Sequence, residues 1–334
     1  MKGICTRKSI KKEVFFLKNI VKLLENLYII DGHDLGLKNR TGSYVLVADE
    51  LTIIETSASP SVPYILAGLQ ELGFKPSQVK NIIVTHIHLD HAGGAGLLLQ
   101  SCPNATVYVH PAGKRHLIDP TRLVAGAKAV YGDRFDELFD PIFPIPEDRI
   151  VSMEHEENLQ LGAHHVLTFY HSPGHANHHV SIFDASNKAL FTGDTAGVYY
   201  PDLEDTGVKL YLPSTSPNQF HPDKMRQSLK MFKELQPQYL CFGHYGITEQ
   251  PNHVFLQVDS WIDRFVEQGK KAYEARTSFE DRVQLAFNYL YEMIQNHLES
   301  YSISKDHKVN EVISLDMSIC AMGLIDFIDK QNKT

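Results

Sequence analysis

The chain has 334 residues, 43% of them apolar and 22% charged, a composition that excludes a disordered polymer and can fill a sizeable core. Its formal charge of −8 argues against general affinity for nucleic acid or for an anionic membrane. At about 150 residues per domain, one or two domains are expected.

The leader MKGICTRKSIKKEVFFLKNIVKLL is basic, but its longest apolar run, VFFL, is too short for a signal-peptide core. No stretch nears the roughly 18 apolar residues of a membrane span. A cytoplasmic location with no membrane partner is therefore the expectation. Cys5, Cys102, Cys241 and Cys320 stand far apart with no CxxC spacing, which fits buried thiols in a reducing compartment.

After the leader, LYIID (27–31), YVLVA (44–48) and TIIET (52–56) read as strands separated by Gly, Asn and Asp turn signals. In SVPYILAGLQELG, Val62, Ile65, Leu66, Leu69 and Leu72 recur at helical spacing, with Pro63 near the start and Gly73 at the end. The strand NIIVT (81–85), a short helix on GLLLQ and the strand TVYVH (106–110) follow. From 113 to 148 the pattern changes to two short helices, TRLVAGAKAVYG and DRFDELF, and a proline-bounded loop, read as an insertion. MEHEEN is expected to be a solvated turn. Strand runs return at HVLTFYHS (165–172), HHVSIFD (178–184) and KALFTGD (188–194), then a helix at 220–236 and the strand YLCFGH (239–244). Beyond 253 only helical periodicity remains. The expected division is a sandwich-forming unit over 1–250 and a helical extension over 251–334.

Four apolar runs end abruptly in histidine or aspartate: NIIVT before His86, TFYHSPG before His175, ALFTG before Asp194 and YLCFG before His244. If the strands lie side by side, these ends converge on one edge, where α/β proteins build sites. Gly174, Gly193 and Gly243 immediately precede three of the polar residues and permit sharp turns and close backbone approach. Imidazole and carboxylate without thiolate suit zinc, iron or manganese. Seven donors, His86, His88, Asp90, His91, His175, Asp194 and His244, would suit two ions with one carboxylate spanning them, and the ions would offset the desolvation of so many polar groups. His110, His155, His164, His171, His221 and His253 are read as structural. One of His178 and His179 is expected to point into the core, and a substrate contact for either is the lesser alternative.

THIHLDH followed in order by HSPGH, FTGD and FGH resembles the metallo-β-lactamase-fold hydrolases, with the likeness spanning about 27–250. It implies an α/β, four-layer αββα sandwich of two mixed sheets with the metals at one edge. It also implies that His86, His88 and His175 hold one metal, that Asp90, His91 and His244 hold a second, and that Asp194 bridges them. The cofactors expected are two divalent ions, zinc first, with manganese or iron as the other options.

The reaction expected of such a site is hydrolysis by a hydroxide shared between two ions, with Asp90 as ligand and proton shuttle and with Thr85 and Gly193 in support. The substrate expected is a small ester, thioester or lactone with an apolar portion. The resemblance spans glyoxalase II-like and lactonase-like branches, and in lactonases a tyrosine follows the bridging aspartate; here the candidates are Tyr199 and Tyr200. The insertion and the C-terminal helices are the candidate pocket walls, or a homodimer interface. Two alternatives stay open. One is a one-iron, persulfide dioxygenase-like oxidoreductase using His86, His175 and Asp194; the other is a non-catalytic ligand-binding member of the fold.

Overall fold

The computed structural model describes residues 19–333; residues 1–18 of the basic leader, with Cys5, lie outside them. In chain order the first half contains β1 (Ile20–Lys22), β2 (Leu27–Asp31), β3 (Gly42–Leu46), β4 (Leu51–Ile54), α1 (Val62–Glu71), β5 (Val79–Ile83), α2 (Leu89–Ala92), α3 (Ala95–Ser101), β6 (Thr106–Val109), α4 (Pro111–Ile118), α5 (Thr121–Tyr131), α6 (Phe135–Phe139) and β7 (Ile150–Ser152). The second half adds β8 (Glu157–Gln160), β9 (Val166–His171), β10 (Val180–Asp184), β11 (Ala189–Gly193), β12 (Val198–Tyr199), β13 (Tyr211–Leu212), α7 (Pro222–Glu234), β14 (Tyr239–Phe242), β15 (Ile247–Thr248), α8 (Pro251–Ala275), α9 (Phe279–Ser300) and α10 (Val309–Lys333).

Two mixed sheets stack face to face. The first has seven strands in sequential order, β1 to β7; the second has six, in the order β15-β14-β11-β10-β9-β8, while β12 and β13 form a separate ribbon. Side-chain alternation sorts each strand between two cores. Leu27 and Ile29 of β2, Tyr44 and Leu46 of β3 and Ile83 of β5 meet Leu167, Phe169, Ile182, Phe191 and Cys241 between the sheets. Their neighbours Ile30, Val45, Ile53 and Ile82 turn outward against Val62, Ile65 and Leu69 of α1 and Leu98 and Leu99 of α3. Leu190, Leu240 and Phe242 turn outward against α7 and the helices α8–α10. Burial on both faces is why the strands read as unbroken apolar runs. The result is helix, sheet, sheet, helix: a four-layer αββα arrangement with a C-terminal helical extension packed on the second sheet.

Local chemistry sets the element ends. Pro63 and Pro222 stand in the first turns of α1 and α7, where no intrahelical N–H is needed. Gly73, at φ +85°, follows α1 in a conformation that glycine adopts without strain. The hydroxyl of Tyr44 lies 2.7 Å from both the Phe242 and the Gly246 carbonyl oxygens. It has one proton, so it donates to one at a time, and it fastens the first sheet to the segment that leads to His244.

Strands β1, β7, β8, β12, β13 and β15 go beyond the sequence expectation; all have two to four residues, too few for period two to register. Glu157 and Asn158 of MEHEEN open β8 rather than completing a turn. Among the described residues, no helix is long and apolar enough to cross a membrane.

Candidate metal centre

The loop leaving β5 is shaped by its own backbone. His91 and Ala92 both return N–H bonds to the His88 carbonyl, at 3.0 and 2.9 Å, closing the single turn of α2. This turn brings His86, His88, Asp90 and His91 together. His86 is buried and its Nδ1 lies 3.0 Å from the Thr85 hydroxyl oxygen. In the tautomer that donates this bond, Nε2 presents a lone pair, and Nε2 has no hydrogen-bond partner among the described residues. Nδ1 of His91 lies 3.1 Å from Glu55 Oε2, while Glu55 Oε1 accepts the Thr85 N–H at 3.0 Å. Glu55 therefore fixes both the loop and the ring, leaving Nε2 of His91 facing inward.

The other three loops complete the cluster. Nδ1 of His175 donates to the Ser214 carbonyl at 3.0 Å, so its Nε2 faces Nδ1 of His88 at 2.9 Å. Asp194 follows β11, whose pairing with β14 shifts register between Phe191 and Gly193; such bulges re-aim the residue that follows. Its backbone N–H donates to Nε2 of His179 at 3.2 Å, and Nδ1 of His179 lies 2.8 Å from the Ser172 hydroxyl. The Asp194 carboxylate is turned to both sides: Oδ1 lies 3.2 Å from His91 Nε2, and Oδ2 lies 3.2 Å from His244 Nε2 and 3.7 Å from His175 Nε2. Asp90 Oδ2 is 3.6 Å from His91 Nε2 and 3.7 Å from His244 Nε2.

All seven residues singled out from the sequence meet here. Their donor atoms form three overlapping groups, each within 4.8 Å: His86, His88 and His175; His86, His91 and Asp194; and Asp90, His91 and His244. Gly193 and Gly243 admit the close packing behind them. A Cβ on Gly193, at φ +48°, would strike His179 and come within 2.5 Å of the Thr85 hydroxyl; one on Gly243 would lie 2.6 Å from the His91 ring.

Electrostatics explains what such a cluster needs. Burial, then the neighbouring imidazoles, holds His86 and His88 well below the usual histidine range, so both favour the neutral, ligating form. Burial also opposes charge on His91, but Asp194, Asp90 and Glu55 outweigh it and push its pKa up to about 10. Burial would raise Asp194, yet His244, His91 and His175 hold it well below the carboxylate range. Inward-facing imidazole nitrogens, an unpartnered buried Nε2 on His86 and a carboxylate facing both sides are the donor set that a divalent ion satisfies. The residues present fit metal.

A cavity of about 390 Å³ opens above the cluster. It is bordered by Asp90, His175, Asp194 and His244, by Leu123 and Val130 of α5, and by Asp316, Ile319 and Cys320 of α10. His178 lines it as well, whereas His179 is buried behind Asp194. Tyr199 stacks on Tyr211 and hydrogen-bonds Glu204, away from the cavity; Tyr200 lines it, with its hydroxyl donated to Asp316 Oδ2 at 2.8 Å. Cys102, Cys241 and Cys320 are free and buried. Sequence reasoning passed over Glu55, Ser214 and Asp316, and it left open which of His178 and His179 turns inward. Only Glu55 carried a usable signal, an acidic residue closing the apolar run TIIET.

Comparison with known proteins agrees with this fold. A metallo-beta-lactamase fold-containing protein of Sulfurisphaera tokodaii is 31% identical over 208 residues, 61% of this chain and 72% of that one. The solved structure carrying the same designation, described as from Sulfolobus tokodaii, superposes with a TM-score of 0.62 at 22% identity, covering 90% of this chain and 99% of its own. A hydroxyacylglutathione hydrolase of Legionella pneumophila is 22% identical over 243 residues, 72% of this chain and 77% of that one. The diflavin flavoprotein A 1 of Synechocystis is 28% identical over 170 residues, 50% of this chain and 26% of that one. The profile of the Metallo-beta-lactamase superfamily matches residues 39–244. That span covers all four loops of the cluster and more than half of the chain, and the chain belongs to that superfamily.

Proposed function

We propose that the chain is a metal-dependent hydrolase with two divalent ions, zinc in the first instance, acting on a small ester, thioester or lactone. The observation that carries this reading is the placement of Asp194 between the two sets: its Oδ2 lies between His175 of one set and His244 of the other, while its Oδ1 faces His91. His86, His88 and His175 would hold one ion, Asp90, His91 and His244 the other, and Asp194 both. When bound, such a pair supplies a water of lowered pKa and polarises an acyl oxygen.

The chain's own contribution is orientation, exclusion of water and proton transfer. Thr85, Glu55 and Ser214 fix three imidazoles in the tautomer that turns Nε2 inward, which holds ligand geometry to a fraction of an ångström. Asp90, 22% exposed, borders the cavity and is the carboxylate positioned to carry a proton. In hydrolysis water adds to the acyl carbon, the bond to the leaving oxygen, sulfur or nitrogen breaks, and Asp90 passes the proton of the water to that leaving atom. Leu123 and Val130 supply apolar contact for the rest of a small substrate. Free buried thiols suit a reducing, cytoplasmic setting.

A second reading, one iron held by His86, His175 and Asp194 for oxidation, draws on the likeness to the diflavin flavoprotein, whose name marks redox chemistry and names no metal. It leaves His88, Asp90, His91 and His244 without a task. Metal analysis of the native protein, followed by a panel of esters, thioesters and lactones, separates the readings. About two ions of zinc or manganese per chain with turnover is the expected result; one iron with no hydrolysis overturns the proposal. Full metal content with no turnover on any of the panel supports a ligand-binding role instead.

A further inference from the structure

The cavity carries a cation that the metal chemistry does not use. Arg40 is 8% exposed and lines the cavity with Asp90, His244, Tyr200 and Asp316. Its Nη2 donates to Asp316 Oδ1 at 2.8 Å, and the Tyr200 hydroxyl donates to the other oxygen of that carboxylate, also at 2.8 Å. Both oxygens of Asp316 are thereby committed, and the guanidinium is held in one orientation by a helix on the far side of the sandwich. Nε and Nη1 of Arg40 have no hydrogen-bond partner among the described residues.

An unsatisfied buried donor costs about 1–3 kcal/mol, and more when charged. Such a group is met by ordered water or by a ligand that enters the cavity. The other charged groups that face Arg40 are Asp34 and Asp90. Asp34 is buried and makes no hydrogen bond to Arg40, and its Oδ1 is itself without a partner. Asp90 belongs to the proposed ligand set, where an ion would neutralise it. Free donors on a planar, permanently charged guanidinium match a carboxylate better than any neutral acceptor.

We propose that Arg40, oriented by Asp316 and Tyr200, is an anion-recognition group of the substrate cavity, so that the molecule hydrolysed carries a carboxylate close to the acyl group under attack. This rests on the hydrolase reading for the reaction and on Arg40 alone for the carboxylate.

The test compares kcat/KM for mono-4-nitrophenyl glutarate and its methyl-capped diester on the zinc-loaded full chain. The free carboxylate should be preferred about tenfold or more. In the double variant Arg40→Gln/Asp316→Asn, which removes both charges of the Arg40–Asp316 ion pair together, that preference should vanish while bound metal per chain is unchanged. Equal use of the two esters, preference for an ammonium-bearing analogue read by Asp34 and Asp316, or an intact preference in the variant overturns the proposal. If the double variant does not fold, Arg40→Lys keeps the ion pair but loses the Nε donor; an unchanged ratio there is equally fatal. Calorimetric binding of glutarate to the same proteins needs no turnover. Affinity that drops about tenfold in the variant with no ester hydrolysed would remove the hydrolase reading and leave the subsite standing.

Discussion

The floor and the lid of the cavity are built in opposite ways. Six of the seven candidate ligands follow β5, β11 or β14, strands buried on both faces near their ends, and each of the imidazoles of His86, His91 and His175 is anchored through its second nitrogen to a residue that is itself buried or to a backbone carbonyl. Helix α5, which supplies Leu123 and Val130 to the cavity, contains no buried residue. Few buried contacts mean a low local opening free energy. The chemistry thus stands on the stiffest part of the molecule, and the surface that would select the substrate on one of the loosest. Helix α10 lies between these extremes: twelve of its residues are buried, and it still places Asp316 at the cavity.

Three measurements would break or sharpen this contrast. The largest effect is expected at the floor: Asp194→Ala should lower kcat/KM by about a thousandfold or more and reduce bound metal, whichever substrate is used. Wild-type activity in that variant would refute its spanning role. Hydrogen exchange comes next. Amides of β5 should exchange about a hundredfold or more slowly compared with those of α5, and similar rates would erase the distinction between floor and lid. Glu55→Gln should weaken metal binding by about 10 to 100-fold, because the amide would set an N–H donor against the His91 N–H. An isotherm unchanged by Glu55→Gln would mean that the ring is held by its other neighbours.

The candidate ligand set was legible because its members announce themselves locally: an apolar run, then an ionisable residue, three times across a glycine. Layering was not legible. NIIV and ALFTG are largely apolar since both faces of each sheet are covered, and such a run does not say which of two sheets it joins. Glu55 carried the same local signal as the candidate ligands but is followed by Thr56 and Ser57 and by no second ionisable residue nearby, so it read as a strand end. Tyr199 and Tyr200 are adjacent, yet one faces Glu204 and the other Asp316; their order along the chain contains no trace of that. Arg40 and Asp316 are joined only by the fold, and neither stands in any pattern. His178 and His179 were separable only as a pair, since alternation predicts that one turns inward without choosing which.

Gly193 and Gly243 carry no chemistry, but the room that a methyl group would need at either position is already taken by His179, Thr85, His91 and Asp194. In a saturation screen scored on activity, these two silent positions would be as intolerant as the imidazoles, and a conservation profile would rank them alongside. Intolerance alone would then inflate the apparent coordination sphere; only a donor-exchange swap, tolerated by some ligands and by neither glycine, would tell the two kinds of indispensability apart.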